Sequence, residues 1–245
     1  MPTYNEINNL PITLQAVLEA APSVDILVVD DNSPDGTGRL ADKLAASNNR
    51  VNVLHRNEKN GLGPAYLAGF AWGTSQGYET LVEMDADGSH RAVDLPKLLA
   101  ETESADLVIG SRWIRGGAVK NWPWHRKMIS RSGNIYANLM LGAKIADITA
   151  GFRAYRTSFL ESLDLENIAS HGYSFQVELA YRSRQAGAVI KEVPILFLER
   201  ENGVSKMSSG IVVEALWLVT KWGFARALPS KKRRPTQSQI DVPEV

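Results

Sequence analysis

The chain predicts an α/β fold, a doubly wound and mostly parallel sheet flanked by helices, and three observations carry that prediction. Short apolar or β-branched runs at 26–29, 51–54, 81–84 and 107–109 alternate with longer stretches of helical apolar spacing. The connections between them are short, as strand–helix–strand units require. Ionisable residues recur where the runs end: Glu6, Asp30, Asp31, Asp85, Asp87 and Arg112. Core packing has no use for such groups, whereas the carboxyl edge of an open α/β sheet is where ligands sit.

Taken in order, residues 1–6 read as a strand end turning into a loop, with almost none of the strand present. From Asn8 or Asn9 as cap, Leu10, Leu14, Val17 and Leu18 keep helical spacing as far as Ala21, and Pro22 stops the run. The run 26–29 is a buried parallel strand. It leads through Asp30-Asp31-Asn32-Ser33-Pro34-Asp35-Gly36-Thr37 into a helix that turns Leu40 and Leu44 to the core. A third strand is expected at 51–54, and Gly61-Leu62-Gly63-Pro64 opens a helix through Tyr66, Leu67, Phe70 and Ala71. The fourth strand is 81–84, followed by a helix capped by Asp94 that carries Leu95, Leu98 and Leu99. A fifth strand at 107–109 ends in Gly110-Ser111-Arg112.

Beyond Arg112 the rhythm breaks. Residues 113–124 read as a loop, 126–141 as a helix, 147–153 as a polar and aromatic turn, and 174 onward as a helix capped by Ser174. Residues 189–198 read as one strand and 199–206 as a mobile loop. The stretch 209–228 is a strongly apolar, amphipathic helix with Trp217, Trp222 and Phe224, and the Pro-punctuated tail 229–245 is expected to be disordered.

Composition excludes several classes. With 245 residues the chain can bury one substantial core. Its 27 basic and 27 acidic residues cancel, so it carries no nucleic-acid footprint. The absence of cysteine excludes disulfides and thiolate metal sites and suits a reducing compartment. No signal-peptide pattern opens the sequence, and no stretch is charge-free for the length of a spanning helix.

The chemistry concentrates at Asp85-Ala86-Asp87-Gly88-Ser89-His90. On an extended backbone, Asp85 and Asp87 would share one side. Two carboxylates so placed repel unless a cation joins them, and paired hard oxygens plus a phosphate are a usual way to hold Mg²⁺ or Mn²⁺. The competing reading is a solvated turn. No Gly-x-Gly-x-x-Gly follows the first strand and no Walker A sequence is present. What remains is a metal-and-diphosphate site without the usual phosphate loop.

Pro2-Thr3-Tyr4-Asn5-Glu6, the 28–37 segment, Asp85-Ala86-Asp87, Gly110-Ser111-Arg112 and the spaced Arg200-x-x-Gly203-x-Ser205-Lys206 occur in this order. Together they resemble the family-2 inverting glycosyltransferases of GT-A, Rossmann-like fold, and among them the polyprenol- or dolichol-phosphate mannosyltransferases. The similarity runs from Pro2 to about Lys206. It implies transfer of mannose from GDP-mannose to a polyprenyl phosphate with inversion, giving β-linked polyprenyl-phosphate mannose. Pro2, Tyr4, Glu6, Val29, Asp30, Asp31, Asp85 and Ala86 would bind the donor, with Arg200 and Lys206 on a loop closing over it. Asp85, Asp87 and Ser89 would hold the metal; the family commonly has Gln where this chain has Ser89. Arg112, Arg126 and Ser130 would hold the acceptor phosphate, and Asp87 and Arg112 are the residues expected to be catalytic.

The resemblance divides the chain into a catalytic domain, 1–207, an interface or docking helix, 208–228, and a basic tail, 229–245. It implies a peripheral protein on the cytoplasmic face of a membrane, meeting the membrane surface or an integral-membrane partner. Relatives carry an apolar first strand before the Pro-Thr-Tyr-Asn-Glu segment, whereas only Met1 precedes Pro2 here. Either the sequence starts late or the fold tolerates a truncated strand.

Alternatives stay open at this level. One is a related UDP-glucose:polyprenyl-phosphate glucosyltransferase, and another is a non-catalytic protein that binds nucleotide-sugar. Arg112 and Arg126 could serve as ion-pair partners, Ser130 as an ordinary helix serine, and Asp147 and Arg153 as braces of a turn. His90 and His125 read as solvated or hydrogen-bonded histidines.

Overall fold

The structure, a computed structural model, describes residues 1–165, 168, 173–199 and 209–227. Within them the order is β1 (Pro2–Thr3), α1 (Leu10–Ala20), β2 (Ile26–Asp30), α2 (Thr37–Ser47), β3 (Val51–His55), α3 (Leu62–Ser75) and β4 (Thr80–Glu83). A 3₁₀ turn, α4 (Leu95–Glu101), β5 (Leu107–Ser111), β6 (Ala118–Lys120) and α5 (Trp124–Leu141) come next. Then follow β7 (Arg153–Arg156), α6 (Thr157–Glu161), α7 (Tyr173–Gln185), β8 (Ile190–Pro194), β9 (Leu196–Leu198) and α8 (Ser209–Ala227).

The first half alternates as expected. β1, β2 and β3 lie parallel, with Pro2 opposite Val29 and Ile26 opposite Val51. A second sheet has the order β4-β7-β5-β8, in which β7 is antiparallel to both β4 and β5. β6 and β9 pair separately and parallel. Both faces of the sheet system are covered. Leu10, Leu14, Leu98, Val108 and Phe152 form the core on the α1 and α4 side. Tyr66, Phe70, Ile109, Ile148 and Phe175 form it on the α3 and α7 side. Burial on both faces explains why these strands read as continuous apolar runs rather than alternating ones.

Between β2 and β4 the sheet is divided. β1 supplies only two residues there, and a cavity of about 470 Å³ lies alongside, lined by Leu27, Val29, Phe70, Leu81 and Val82 among others.

Four expectations are corrected. The loop 113–124 contains β6, and the turn 147–153 runs on into β7. The sequence Arg153-Ala154-Tyr155 looks polar, yet all three are fully buried. The single strand 189–198 is broken at Ile195, whose N–H donates to the Ser111 carbonyl, so β8 pairs with β5 while β9 moves to β6. Asp94 precedes α4 without capping it: its carboxylate takes Lys97 at 2.7 Å and the Leu196 N–H at 3.4 Å.

α8 is helical as expected and packs on α5 and α7. Trp222 stacks on Tyr181, with ring centroids 6.2 Å apart, and Tyr136 and Thr220 share a 2.6 Å hydrogen bond. Gly223 lets the helices approach, since a Cβ there would stand 3.1 Å from the Met140 carbonyl. Among the described residues no helix is long and apolar enough to cross a membrane. Residues 229–245 lie outside the described residues.

Candidate active site

The first two motifs fold onto each other. The Asp30 carboxylate, at the end of β2, accepts from Thr3 Oγ1 at 2.9 Å and from Ser33 N and Oγ at 3.0 and 2.6 Å. The Glu6 N–H donates to Thr37 Oγ1, and the Ile7 N–H to Asp35. Asn5 and Asn32 both take the left-handed backbone that Asn tolerates, with φ of 60° and 54°. Segment 3–7 is therefore pinned along segment 30–37. Tyr4 and Glu6 are half-buried at its surface, and the Tyr4 ring lies 4.0 Å beneath the Lys59 ammonium. Asp31 pairs with Arg56 at 2.7 Å; burial raises its carboxyl above the usual range, against the pull of that arginine.

Two members of the expected donor set sit differently from the reading above. Val29 is buried beside α3, where a Cβ at Gly69 would touch it, and it lines the cavity between β2 and β4. Asp30 is buried with its carboxylate satisfied from within the chain, which makes it the brace of the pocket wall.

The carboxylate pair follows β4, but the strand ends at Glu83, so Asp85 and Asp87 occupy a bend rather than an extended backbone. Asp85 Oδ1 accepts from the Tyr66 hydroxyl at 3.2 Å, and the Asp85 N–H donates to His90 Nδ1 at 3.1 Å. Asp87 Oδ1 accepts from the Ser89 N–H at 3.0 Å, across a left-handed Gly88 with φ of 77°. The Ala86 carbonyl is held by Thr13 Oγ1 at 2.9 Å. Ser89 is buried, and its carbonyl accepts from the Leu198 N–H of β9.

His90 is buried, stacked on Phe152 at 5.0 Å and edge-on to Phe197 at 5.4 Å; burial lowers its pKa and keeps it neutral as an acceptor. It is thus the hydrogen-bonded histidine of the two, whereas His125 is exposed. Behind the pair, Glu83 is fully buried near Tyr155 and Gln176, and burial raises its pKa to about 7 against the opposing Arg153.

The chemistry of this donor set, two hard carboxylate oxygens a residue apart, is that of a divalent-cation ligand pair. Among the described residues no group of three His, Cys, Asp or Glu could hold a metal ion by itself. Two carboxylates, with a substrate diphosphate and water completing the shell, match how Mg²⁺ is usually held.

A second polar cluster lies across β9. Arg112, at the end of β5, donates its backbone N–H and Nε to Asp147 Oδ2 at 2.9 and 2.7 Å, and Nη2 to Oδ1 at 2.6 Å. Nη2 also reaches Thr149 Oγ1 at 3.0 Å. Asp147 is fully buried and Arg112 7% exposed. The rings of Trp113, Trp122 and Phe197 face this guanidinium at 5.8, 5.5 and 5.5 Å. The Nε and Nη2 edge of the Arg112 guanidinium is thus turned to Asp147.

Arg126, in the first turn of α5, lies 4.1 Å over Trp122, and its Nη1 donates to both Glu199 oxygens at 2.6 and 2.5 Å. Ser130 follows one turn later; its carbonyl accepts from Asn134, whose side chain also reaches Thr149. Arg131 lies 5.4 Å over Trp113. Arg112 and Arg126 thus both face Trp122, and Asn134 links the Ser130 carbonyl to Thr149, which Arg112 also reaches. Arg153 donates to the carbonyls of Ala150, Ile148 and Gln176 and braces the turn. Arg200 and Lys206 lie outside the described residues.

Tyr66 and Glu199 carry no functional signal in the sequence. Tyr66 reads as one more core aromatic of α3, and Glu199 as one charge among several in a polar stretch.

Comparison with known proteins accords with this geometry. Residues 1–164 match the family model described as Glycosyl transferase family 2. The chain is 57% identical over 225 residues to the undecaprenyl-phosphate mannosyltransferase of Micrococcus luteus, covering 92% of this chain and 93% of that protein. It is 55% identical over 226 residues to the polyprenol monophosphomannose synthase of Mycolicibacterium smegmatis, covering 91% and 85%. Among solved structures, it resembles the glucosyl-3-phosphoglycerate synthase of Mycobacterium tuberculosis in complex with Mn²⁺, UDP-glucose and phosphoglyceric acid. There the TM-score is 0.65 at 18% identity, with 90% of this chain and 78% of that one covered. The same enzyme with Mg²⁺ and UDP gives 0.61 at 17% identity, covering 94% and 79%. At those identities the likeness is one of fold.

Proposed function

The chain belongs to glycosyltransferase family 2 and has the GT-A fold, and from that premise we propose that it transfers mannose from GDP-mannose to a polyprenyl phosphate with inversion, using Mg²⁺ or Mn²⁺. One observation carries the reading. The carboxylate bend and the arginine–tryptophan cluster are neighbours across a single short strand. Phe197 touches His90 on one side and faces Arg112 and Trp122 on the other, while the Leu198 N–H holds the Ser89 carbonyl. A site for a departing diphosphate thus adjoins a site for an arriving phosphate. The mannosyltransferase names of the two relatives, with their polyprenyl and undecaprenyl acceptors, support the same assignment.

The reaction asks little proton chemistry of the protein. An oxygen of the acceptor phosphate forms a bond to the anomeric carbon as the bond from that carbon to the diphosphate breaks. A phosphate monoester is already anionic, so no strong general base is needed; placement decides the rate. Arg126 and Ser130 hold the acceptor phosphate, and Arg112, locked to Asp147, fixes the aromatic wall around them. Tyr4, Glu6 and Asp31 border the nucleotide. Asp85 and Asp87 would hold a divalent cation, whose charge would offset that of the departing diphosphate. Direct displacement converts an α-linked donor into a β-linked product.

The acceptor in this proposal is a lipid, and the exposed apolar side chains of two packed helices, α5 and α8, suit a membrane. α5 exposes Trp124 and Leu139 (75% and 76%) along with Met128 and Ile135, and α8 exposes Trp217 and Phe224 (61% and 65%). In this reading α5 joins α8 in resting on the cytoplasmic leaflet, as in-plane amphipathic helices do. Lys221, over the Trp217 ring at 5.2 Å, and the basic run 231–234 would add about 1 kcal/mol per charge near anionic lipid. The donor assignment is tested by thermal shift with Mn²⁺ present: stabilisation by GDP-mannose and none by UDP-glucose is expected, and the reverse pattern would exclude mannose.

A further inference from the structure

Arg126, the arginine of the cluster set closest against an aromatic ring, already holds an anion. Its Nη1 sits between the two oxygens of Glu199, with side chains only 20% and 27% exposed, and the guanidinium is pressed on Trp122 at 4.1 Å. Glu199 is itself fixed: its N–H donates to the Lys120 carbonyl, at the end of the β6–β9 pair. The carboxylate is therefore held against this arginine by the backbone of a neighbouring strand. The other charges of the cluster do not compensate it, because Arg112 is committed to Asp147 and Arg131 lies over Trp113.

A carboxylate on a phosphate-binding arginine costs affinity for phosphate, so its presence calls for a reason. At a lipid surface, the abundant competitors for such an arginine are phosphodiester headgroups, each with one negative charge. The acceptor is a monoester, with a charge of about −1.5 to −2 at neutral pH because its second pKa is about 6. We propose that Glu199 is a specificity residue, a resident monoanion on Arg126 that phosphodiester lipids fail to displace and that a dianionic phosphate monoester does. Specificity of this kind comes from a built-in repulsive element rather than from an added contact. The inference rests on the acceptor reading above, which places the lipid phosphate at Arg126.

Binding of two probes to the full chain tests it without any sugar transfer. The probes are dodecyl phosphate, a monoester, and phosphatidylglycerol, a diester, each presented in nonionic detergent micelles and followed by calorimetry. In the wild type we expect dodecyl phosphate to bind and phosphatidylglycerol to bind much more weakly. In Glu199→Gln, affinity for phosphatidylglycerol rises more than affinity for dodecyl phosphate, so that the ratio of the two falls by ~3-fold or more, the scale of one partly exposed ion pair. Glu199→Asp keeps the charge and recovers at least part of the discrimination.

An unchanged ratio in a folded Glu199→Gln protein would overturn the proposal, as would a loss of affinity for both probes, since that is the result of Glu199 merely bracing Arg126. The acceptor reading fails separately, if Arg126→Ala leaves dodecyl phosphate binding intact.

Discussion

Removing the Asp147 carboxylate is the sharpest test of how the acceptor side is built. Asp147 is fully buried, and three N–H groups of Arg112 converge on it at 2.6–2.9 Å. In Asp147→Ala the guanidinium would stay among Trp113, Trp122 and Phe197 with its counter-charge gone. Breaking one partner of a buried pair typically costs about 3–5 kcal/mol. For a chain of this size that is a fall in Tm of roughly 10 °C. Replacing both partners, as Arg112→Met with Asp147→Leu, removes the uncompensated charge and should recover most of the loss.

Urea titrations with intrinsic fluorescence, together with differential scanning calorimetry, measure both variants. The single variant should also raise the acceptor KM, because the end of β5 and the aromatic wall lose their anchor. The double variant should stay impaired in transfer while regaining stability. A destabilisation below about 1 kcal/mol for Asp147→Ala would refute the view that this pair fixes the site. A double variant no more stable than the single one would show that shape, not charge, is what Asp147 supplies.

Other consequences are direct. Asp87→Ala should abolish transfer while leaving the sheet folded; turnover retained by that variant with divalent metal chelated would remove the metal role. Tyr66→Phe deletes the 3.2 Å hydrogen bond to Asp85, and the Mn²⁺ concentration giving half-maximal rate should rise about tenfold, the usual scale for an outer-shell partner. No shift in that concentration, in a protein of unchanged kcat, would detach Tyr66 from the metal site. Trp217→Glu with Phe224→Glu should cut liposome binding with little change in Tm, since both side chains are exposed. Deleting α8 is a poorer test, because Val219 and Trp222 pack on the body of the protein. Liposome binding unaltered by the two charges would end the membrane-platform reading.

The parts legible in the sequence were those whose determinants are local. The apolar runs that became β2, β4 and β5 are continuous because both sheet faces are covered. Asp85 and Asp87 stand out because two carboxylates one residue apart follow an apolar run. What escaped was set by long-range pairing. Arg153 and Tyr155 look like turn residues, and only the flanking β4 and β5, together with the carbonyls around the Arg153 guanidinium, make 153–156 a central strand. β8 and β9 separate at Ile195 because each has a different partner, a choice invisible in an unbroken apolar stretch.

The site shows the same division. Its motifs are readable one at a time, but that Arg112 pairs with Asp147, 35 residues on, shows only in the fold. Ser89 was expected beside the metal. It is buried, and its backbone ties Asp87 on one side to β9 on the other, which makes it the joint between the two halves of the site.

The central claim is that one sugar passes between those halves. Incubating the purified chain with radiolabelled GDP-mannose, undecaprenyl phosphate and Mn²⁺, and then assigning the anomeric configuration of the lipid product by NMR, tests it most directly. A metal-dependent mannosyl lipid of β configuration is expected, formed in step with GDP release and lost when UDP-glucose replaces the donor. An α-linked product, or glucose transferred in preference to mannose, would contradict it.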